Sequence, residues 1–350
     1  MKKTISILVI SMLVMSLIGC TSEPSQQSSG ENAVTTTNEV ELELIVAHNQ
    51  TSQENPYAHG MNKFKEEIEK ISDGKVNVTV HHGTLGQSES ELIENMQMGS
   101  ISMVVASPGF MTAIGVPEID IFSLLYLFDS FDHWEKAVDG DFGDTMKETV
   151  KEQTNNSFKI MDYWTASVRD YYGKEAIQSP DDIAGMTIRT QTSGVVREFW
   201  EEAGAIPTSV AWGELYQALS QGVVDSAEND YTNFMLQDHH RTANGKYVSE
   251  TNHDYTTRLL LMDGNVYDSL TEEQQGWIDE AVKAATEVER QVTYDMYAES
   301  KQKVIEDGGI ITEYEDMDIE AFTEIAIPIQ DRFAEQYNMQ SELDMIRSVR

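Results

Sequence analysis

The 350-residue chain contains one cysteine, Cys20, which excludes an internal disulfide framework and any cysteine-rich zinc site. Positive charge is scarce: 24 Lys and Arg stand against 60 Asp and Glu, for a formal charge of −36. That balance excludes nucleic acid as a partner, because affinity for a polyanion comes from basic side chains neutralising phosphates. It also argues against adhesion to an anionic membrane surface through protein charge. After the first twenty residues no apolar run is long enough to span a bilayer. What remains is 40% hydrophobic and 9% aromatic, enough to fold, and the length suits two domains.

The N-terminus explains the lone cysteine. Lys2 and Lys3 precede an apolar stretch from Ile5 to Ile18, which ends in Leu17-Ile18-Gly19-Cys20. A short charged segment followed by a short apolar one reads as an export signal over residues 1–19. The ending resembles a bacterial lipobox, which implies lipid attachment at Cys20 and anchoring to the membrane through that lipid. Residues 20–39 are rich in Ser, Thr, Gln and Asn and carry no aromatic side chain, as expected of a flexible tether. The working part of the chain is therefore expected outside the cytoplasmic membrane, where ATP is not available, and no cofactor is expected.

The folded part reads as α/β. Leu42 to Ala47 is a strand; Met61, Phe64, Ile68 and Ile71 form one helical stripe; Val76, Val78 and Val80 alternate as a second strand. Ser88 to Glu91 is a capping box ahead of Leu92, Ile93 and Met96, and Ile101 to Val105 is a third strand. This alternation predicts a parallel sheet with helices on its faces. Further on, Phe158–Trp164, Val168–Gly173 and Met186–Thr190 read as strands, 193–203 and Trp212–Gln221 as helices. Thr271 caps a helix running towards Glu306, long enough to cross more than one small domain.

No catalytic signature stands out. There is no Gly-x-Ser-x-Gly, His-Glu-x-x-His, Walker loop or Gly-x-Gly-x-x-Gly, so no enzyme is expected. Asp238-His239-His240 lacks the companion blocks of a metal site and reads as a solvated helix end; His81-His82 reads as structural, and no metal is expected. The pairs Asp181-Asp182 and Glu201-Glu202 read as solvated faces. Arg169 and Arg189 are more informative, since each sits within an apparent strand directly after an apolar residue, Val168 or Ile188. A guanidinium there needs an anionic partner, either an internal carboxylate or that of a ligand, and residue type alone leaves both open.

A series of blocks then carries a family resemblance: Val46-Ala47-His48, Asn55-Pro56-Tyr57, Asp73-Gly74-Lys75-Val76, Leu85-Gly86, Glu91-Leu92-Ile93-Glu94 and Asp139-Gly140-Asp141-Phe142-Gly143. Pro180-Asp181-Asp182-Ile183-Ala184-Gly185-Met186-Thr187-Ile188-Arg189 follows. Glu214-Leu215-Tyr216, Gly222-Val223-Val224-Asp225 and Glu228-Asn229 complete the series. In order and spacing, from about residue 42 to 285, they resemble the DctP-type solute-binding proteins of TRAP (tripartite ATP-independent periplasmic) transporters.

The resemblance implies a two-domain, periplasmic-binding-protein-like fold with a central cleft, hinge strands and a long helix crossing both domains. It implies domain I from 40–166 plus about 256–294, and domain II from 167–255 plus about 295–340. The implied ligand is a small organic acid (a dicarboxylate, 2-oxo acid or sugar acid), and the implied partners are the small and large TRAP membrane subunits. The family's carboxylate-binding arginine falls on Arg189, a second arginine on Arg169, a polar residue on Asn229 and an aromatic on Trp212. His48, Ser107 and Thr192 fall where relatives place ligand-facing polar groups; Glu214 and Tyr216 fall on fold or hinge positions. Two departures stand out: Leu125-Tyr126-Leu127-Phe128 replaces a Pro-Phe pair before Leu-Phe, and Asp230 replaces a proline. A binding protein for an ATP-driven importer or a sensor, an anchored enzyme and a purely structural lipoprotein are the competing readings.

Overall fold

The computed structural model describes residues 39–86 and 88–350. The export signal, Cys20 and all but the last residue of the tether lie outside the described residues.

Nine strands form one sheet: β1 (Leu42–His48), β2 (Val76–His82), β3 (Met103–Ala106), β4 (Phe158–Gly173), β5 (Thr187–Thr190), β6 (Ile206–Ser209), β7 (Ser226–Asn229), β8 (Tyr247–Asp263) and β9 (Ile310–Thr312). The helices are α1 (Pro56–Ile71), α2 (Glu89–Gln97), α3 (Phe131–Val138), α4 (Asp141–Gln153), α5 (Gly194–Glu202) and α6 (Leu215–Gln221). After them come α7 (Tyr231–Leu236), α8 (Gly264–Ser269), α9 (Glu272–Glu306), α10 (Ile319–Tyr337) and α11 (Gln340–Ser348). Strand order is β2-β1-β3-β8-β4-β7-β5-β6, with β9 beside β8.

The parallel pairing expected of the first three strands is found, within a sheet that is mixed as a whole. Within each end the pairing is parallel, β1 with β2 and β3, then β5 with β6 and β7, because helices α1, α2, α5 and α6 return the chain to the same edge. The antiparallel pairs, β3–β8, β8–β4 and β4–β7, arise where two long strands cross from one end to the other without a crossover helix.

The segments Phe158–Trp164 and Val168–Gly173, expected as two strands, are one 16-residue strand. β8 accompanies it throughout, with register shifts at Ile160/Asp162, Thr165/Val168 and Arg169/Tyr171. Ser167 (φ 67°) and Asn252 (φ 44°) occupy the left-handed region at these irregularities. β8 has no strand signature in the sequence, because its half polar, half apolar run shows no clean alternation.

Helices form where local chemistry directs. Asn55 caps α1 by accepting from the Tyr57 N–H, with Pro56 at the first turn. Ser88 and Glu91 close the expected capping box on α2, as Thr271 and Gln274 do on α9. At 35 residues α9 is about 50 Å long at 1.5 Å per residue. Ile278, Ala281, Val282 and Ala285 join the core under α1, β1 and β2, whereas Val304 joins a separate core with Leu215, Leu219 and Phe234. One helix thus feeds two cores, each fully buried aliphatic side chain contributing about 1.5–3 kcal/mol. No described helix is long and apolar enough to cross a membrane.

Candidate ligand-binding cleft

The parallel strands β1, β5, β6 and β7 all run out towards one cavity of about 190 Å³. Carboxyl ends of strands are where an open α/β sheet leaves a crevice, because the helices diverge there. Asn49 and Gln50 follow β1; Ser88, Glu89 and Ser90 begin α2; Phe110 comes from a 3₁₀ turn over Pro108–Ile114. The opposite wall is Arg189, Gln191 and Thr192 at the end of β5, Ser209 to Trp212 after β6, Asn229 ending β7 and Asn233 in α7. Arg169 on β4 and Arg258 on β8 form the floor.

The two arginines foreseen from sequence have different partners. Arg169, 1% exposed, donates Nη2–H to Glu228 Oε1 (2.9 Å) and to the Glu228 carbonyl (2.7 Å), and Nη1–H to Asn229 Oδ1 (2.7 Å). Its Nε–H meets the other Glu228 oxygen. Burial opposes ionisation of Glu228, but Arg169 and then His253 (3.4 Å) outweigh it and hold the carboxyl below the usual range.

Arg189 has no such carboxylate. Its Nε–H donates to the Val210 carbonyl at 3.0 Å, and its guanidinium carbon lies 5.7 Å from the centroid of the Trp212 ring. The terminal nitrogens donate to no protein acceptor among the described residues, although the side chain is 5% exposed. Burial accordingly lowers its pKa, more than Glu228 and Tyr172 restore it.

The remaining expected residues divide. Among the described residues Asn229 bonds only through Oδ1, accepting from Arg169 and from the Asp230 N–H (3.0 Å), and its amide N–H₂ donates to none of them. Trp212 donates Nε1–H to Gln50 Oε1 at 3.1 Å, linking the two walls. Thr192 lines the cavity. His48 lies behind the wall: fully buried, it sits 2.8 Å from His82 Nδ1 through Nε2 and accepts from the Gln50 N–H. Burial, then His82, lowers its pKa to about 3, so the ring is neutral and positions Gln50. Ser107 is also behind, its backbone N–H donating to Glu89 Oε2 at 2.6 Å.

Asp238-His239-His240 is not a solvated helix end. His239 is buried with Nδ1 2.9 Å from the Tyr172 hydroxyl and its ring 5.2 Å from Trp212; His240 is buried against Asp307 at 3.1 Å. The 3₁₀ turn they occupy packs down onto α7 and props the Trp212 wall. Asp181, Asp182, Glu201 and Glu202 are exposed.

Two charged lining residues escaped the sequence reading. Arg258, 6% exposed, donates Nε–H to the Tyr57 hydroxyl at 2.9 Å. The argument made for Arg169 and Arg189, that a guanidinium within a strand needs an anionic partner, applies to it equally, but depends on recognising β8. Glu89 carries no signal, being one of two residues between a capping serine and its Glu91 partner.

An open crevice between two ends of one mixed sheet, with polar walls and an uncompensated buried guanidinium, defines a two-lobed solute-binding protein of the periplasmic-binding-protein-like class. Residues 46–336 match the bacterial extracellular solute-binding proteins, family 7 (DctP). A C4-dicarboxylate-binding periplasmic protein of Rhodobacter capsulatus is 26% identical over 284 residues, covering 80% of this chain and 83% of the relative. A TRAP periplasmic solute-binding protein from Sulfitobacter sp. NAS-14.1, solved with bound β-D-galacturonate, is 27% identical with a TM-score of 0.80, covering 87% of this chain and 99% of that one. Another from Sulfurospirillum deleyianum, solved with succinate, is 26% identical with a TM-score of 0.79, covering 89% and 100%. The chain belongs to this family, the DctP-type solute-binding proteins of TRAP transporters, whose members are extracytoplasmic binding proteins and not enzymes.

Proposed function

We propose that this chain captures a small organic acid by clamping its carboxylate on Arg189, closes its two domains over it, and delivers it to the small and large membrane subunits of a TRAP transporter. The observation that carries the reading is the Arg189 guanidinium, buried in a polar cavity with terminal N–H groups that no described protein group accepts. Each charge-assisted hydrogen bond to a carboxylate would contribute about 1.5–3 kcal/mol. The N–H₂ of Asn229, the remaining N–H of Arg169 and Thr192 supply further polar contacts, and Trp212 supplies the flat wall. A ligand that touches both walls only when they approach favours the closed arrangement by that difference in contact. The domains we assign are residues 40–166 plus about 256–294 and 167–255 plus about 295–340. Support comes from the register shifts of β4 and β8 near Ser167 and Asp254 and from the two cores served by α9. We further propose cleavage before Cys20 and lipid attachment there.

The test is the melting temperature of residues 21–350 against a panel of dicarboxylates, 2-oxo acids and sugar acids. A ligand at 100 times its Kd stabilises by about 2.7 kcal/mol. The expected result is a shift with one acid class, lost in Arg189→Ala while the ligand-free melting temperature holds. A shift that survives the substitution would remove Arg189 from the site.

A further inference from the structure

We infer that Tyr126 is a positioning residue: its backbone N–H and its hydroxyl grip β8 at two points beside the domain boundary, hold the cleft closed, and so raise ligand affinity from outside the cleft. The inference rests on the capture-and-closure reading above and its domain boundaries, and goes beyond it by assigning a residue that sets the balance between open and closed.

β4 and β8 fall out of step beside that boundary. Arg169 faces Asp254 and Tyr171 faces Ser249, so four residues of β8, Glu250 to His253, stand opposite Asp170 alone. Asn252 takes a φ of 44° in this bulge, its N–H donating to Asp170 Oδ1 at 2.9 Å. Tyr126 reaches the bulge from the domain we assign to residues 40–166. Its N–H donates to the His253 carbonyl at 2.7 Å, and its hydroxyl donates to the Thr251 carbonyl at 3.1 Å. Tyr126 itself has a φ of 57°, a conformation that an aromatic residue keeps only where its surroundings fix it. One hydrogen bond would leave the bulge free to swivel; two, at residues 251 and 253, fix its orientation.

Close packing does not hold the bulge on that side. A second cavity, of about 520 Å³, is lined by Tyr126, Asn252, Tyr255 and Tyr314 among others, so the bulge has room to shift when the lobes part. The structure describes the closed arrangement: Trp212 bonds Gln50 across the walls, and Asn55 Nδ2–H donates to Asn233 Oδ1 at 2.9 Å. The Tyr126 hydroxyl bond exists in that arrangement and spans segments that opening moves apart, so its free energy counts toward closure. On its inner side the bulge carries His253, 3.4 Å from the Glu228 carboxylate that holds Arg169, whereas Tyr126 itself does not line the cleft. The hydroxyl is also particular to this chain, since Leu125-Tyr126 stands where the family resemblance places Pro-Phe.

The experiment compares the wild type with Tyr126→Phe, which keeps the ring beside Phe199 and removes only the hydroxyl. Residues 21–350 contain no cysteine, so spin labels on Met98→Cys and Val223→Cys, one exposed position in each assigned domain, report the separation of the lobes by pulsed electron spin resonance. Without ligand, the closed-to-open ratio is expected to fall about two- to tenfold in Tyr126→Phe, the usual net worth of one hydrogen bond. Calorimetry with the acid found in the melting panel is expected to show affinity falling in step with the closed fraction. An unchanged ratio would overturn the inference. So would a change in affinity that does not follow the ratio, because the hydroxyl would then act otherwise than through closure. The label measurement needs no ligand: a lowered ratio in a chain that binds no acid would keep the grip of Tyr126 and remove the organic-acid reading, whereas an unchanged ratio in a chain that binds an acid through Arg189 would do the reverse.

Discussion

Glu228 engages three of the five N–H groups of Arg169, two through its carboxylate and one through its own backbone carbonyl, and a fourth goes to Asn229. Arg169 is therefore chiefly a fixed part of the cleft floor, with one N–H that no described group accepts, whereas among the described residues Arg189 is held at one nitrogen only.

This difference separates the two arginines in stability as well as in binding. Arg169→Ala strands the Glu228 carboxylate in the interior and is expected to cost about 3–5 kcal/mol in urea unfolding. Adding Glu228→Gln to Arg169→Ala is expected to restore part of that loss, because the uncompensated charge is gone. A double variant no more stable than Arg169→Ala would contradict the pairing.

The buried Glu289 on α9 makes stability depend on pH. It accepts from the Thr165 N–H (3.2 Å) and the Thr293 hydroxyl (3.2 Å), and burial pushes its pKa from 4.5 up to about 8. Between those values the folded chain binds the proton more strongly than the unfolded chain does. Glu289's contribution to stability is therefore expected to fall as pH rises from about 4.5 to about 8. Glu289→Gln keeps the acceptor and removes the titration. It is expected to flatten that part of the urea-unfolding profile and to be more stable than wild type at pH 8. Parallel profiles would show that Glu289 does not titrate in this range.

Closure can be tested at Gly109, in the 3₁₀ turn over Pro108–Ile114. A Cβ there would lie 2.0 Å from the Thr192 carbonyl oxygen, so the two walls meet at a point that has no room for a methyl group. Gly109→Ala is expected to weaken ligand binding by about 1–3 kcal/mol, the usual cost of overpacking. It should also enlarge the ligand-bound radius of gyration in small-angle scattering. Wild-type affinity and radius would show that this contact does not limit closure.

The family, the βαβ units, the capped helices α1, α2 and α9 and the two candidate arginines could all be read from the sequence by itself. Periodicity and capping are local: Ser88 and Glu91, or Thr271 and Gln274, settle their bonds within one turn. Tertiary structure decided what those arginines are paired with. Glu228 is 59 residues from Arg169, and no spacing rule distinguishes it from the other acidic residues available. Packing likewise placed His48 and Ser107 behind the wall, because β1 turns its next two residues, Asn49 and Gln50, into the cavity. It brought Arg258 to the cleft on β8, whose run shows no clean strand alternation, and Glu89 from an ordinary helix start. Local sequence thus determines which elements form, whereas the balance of buried charge depends on chain segments that meet only when the sheet is complete.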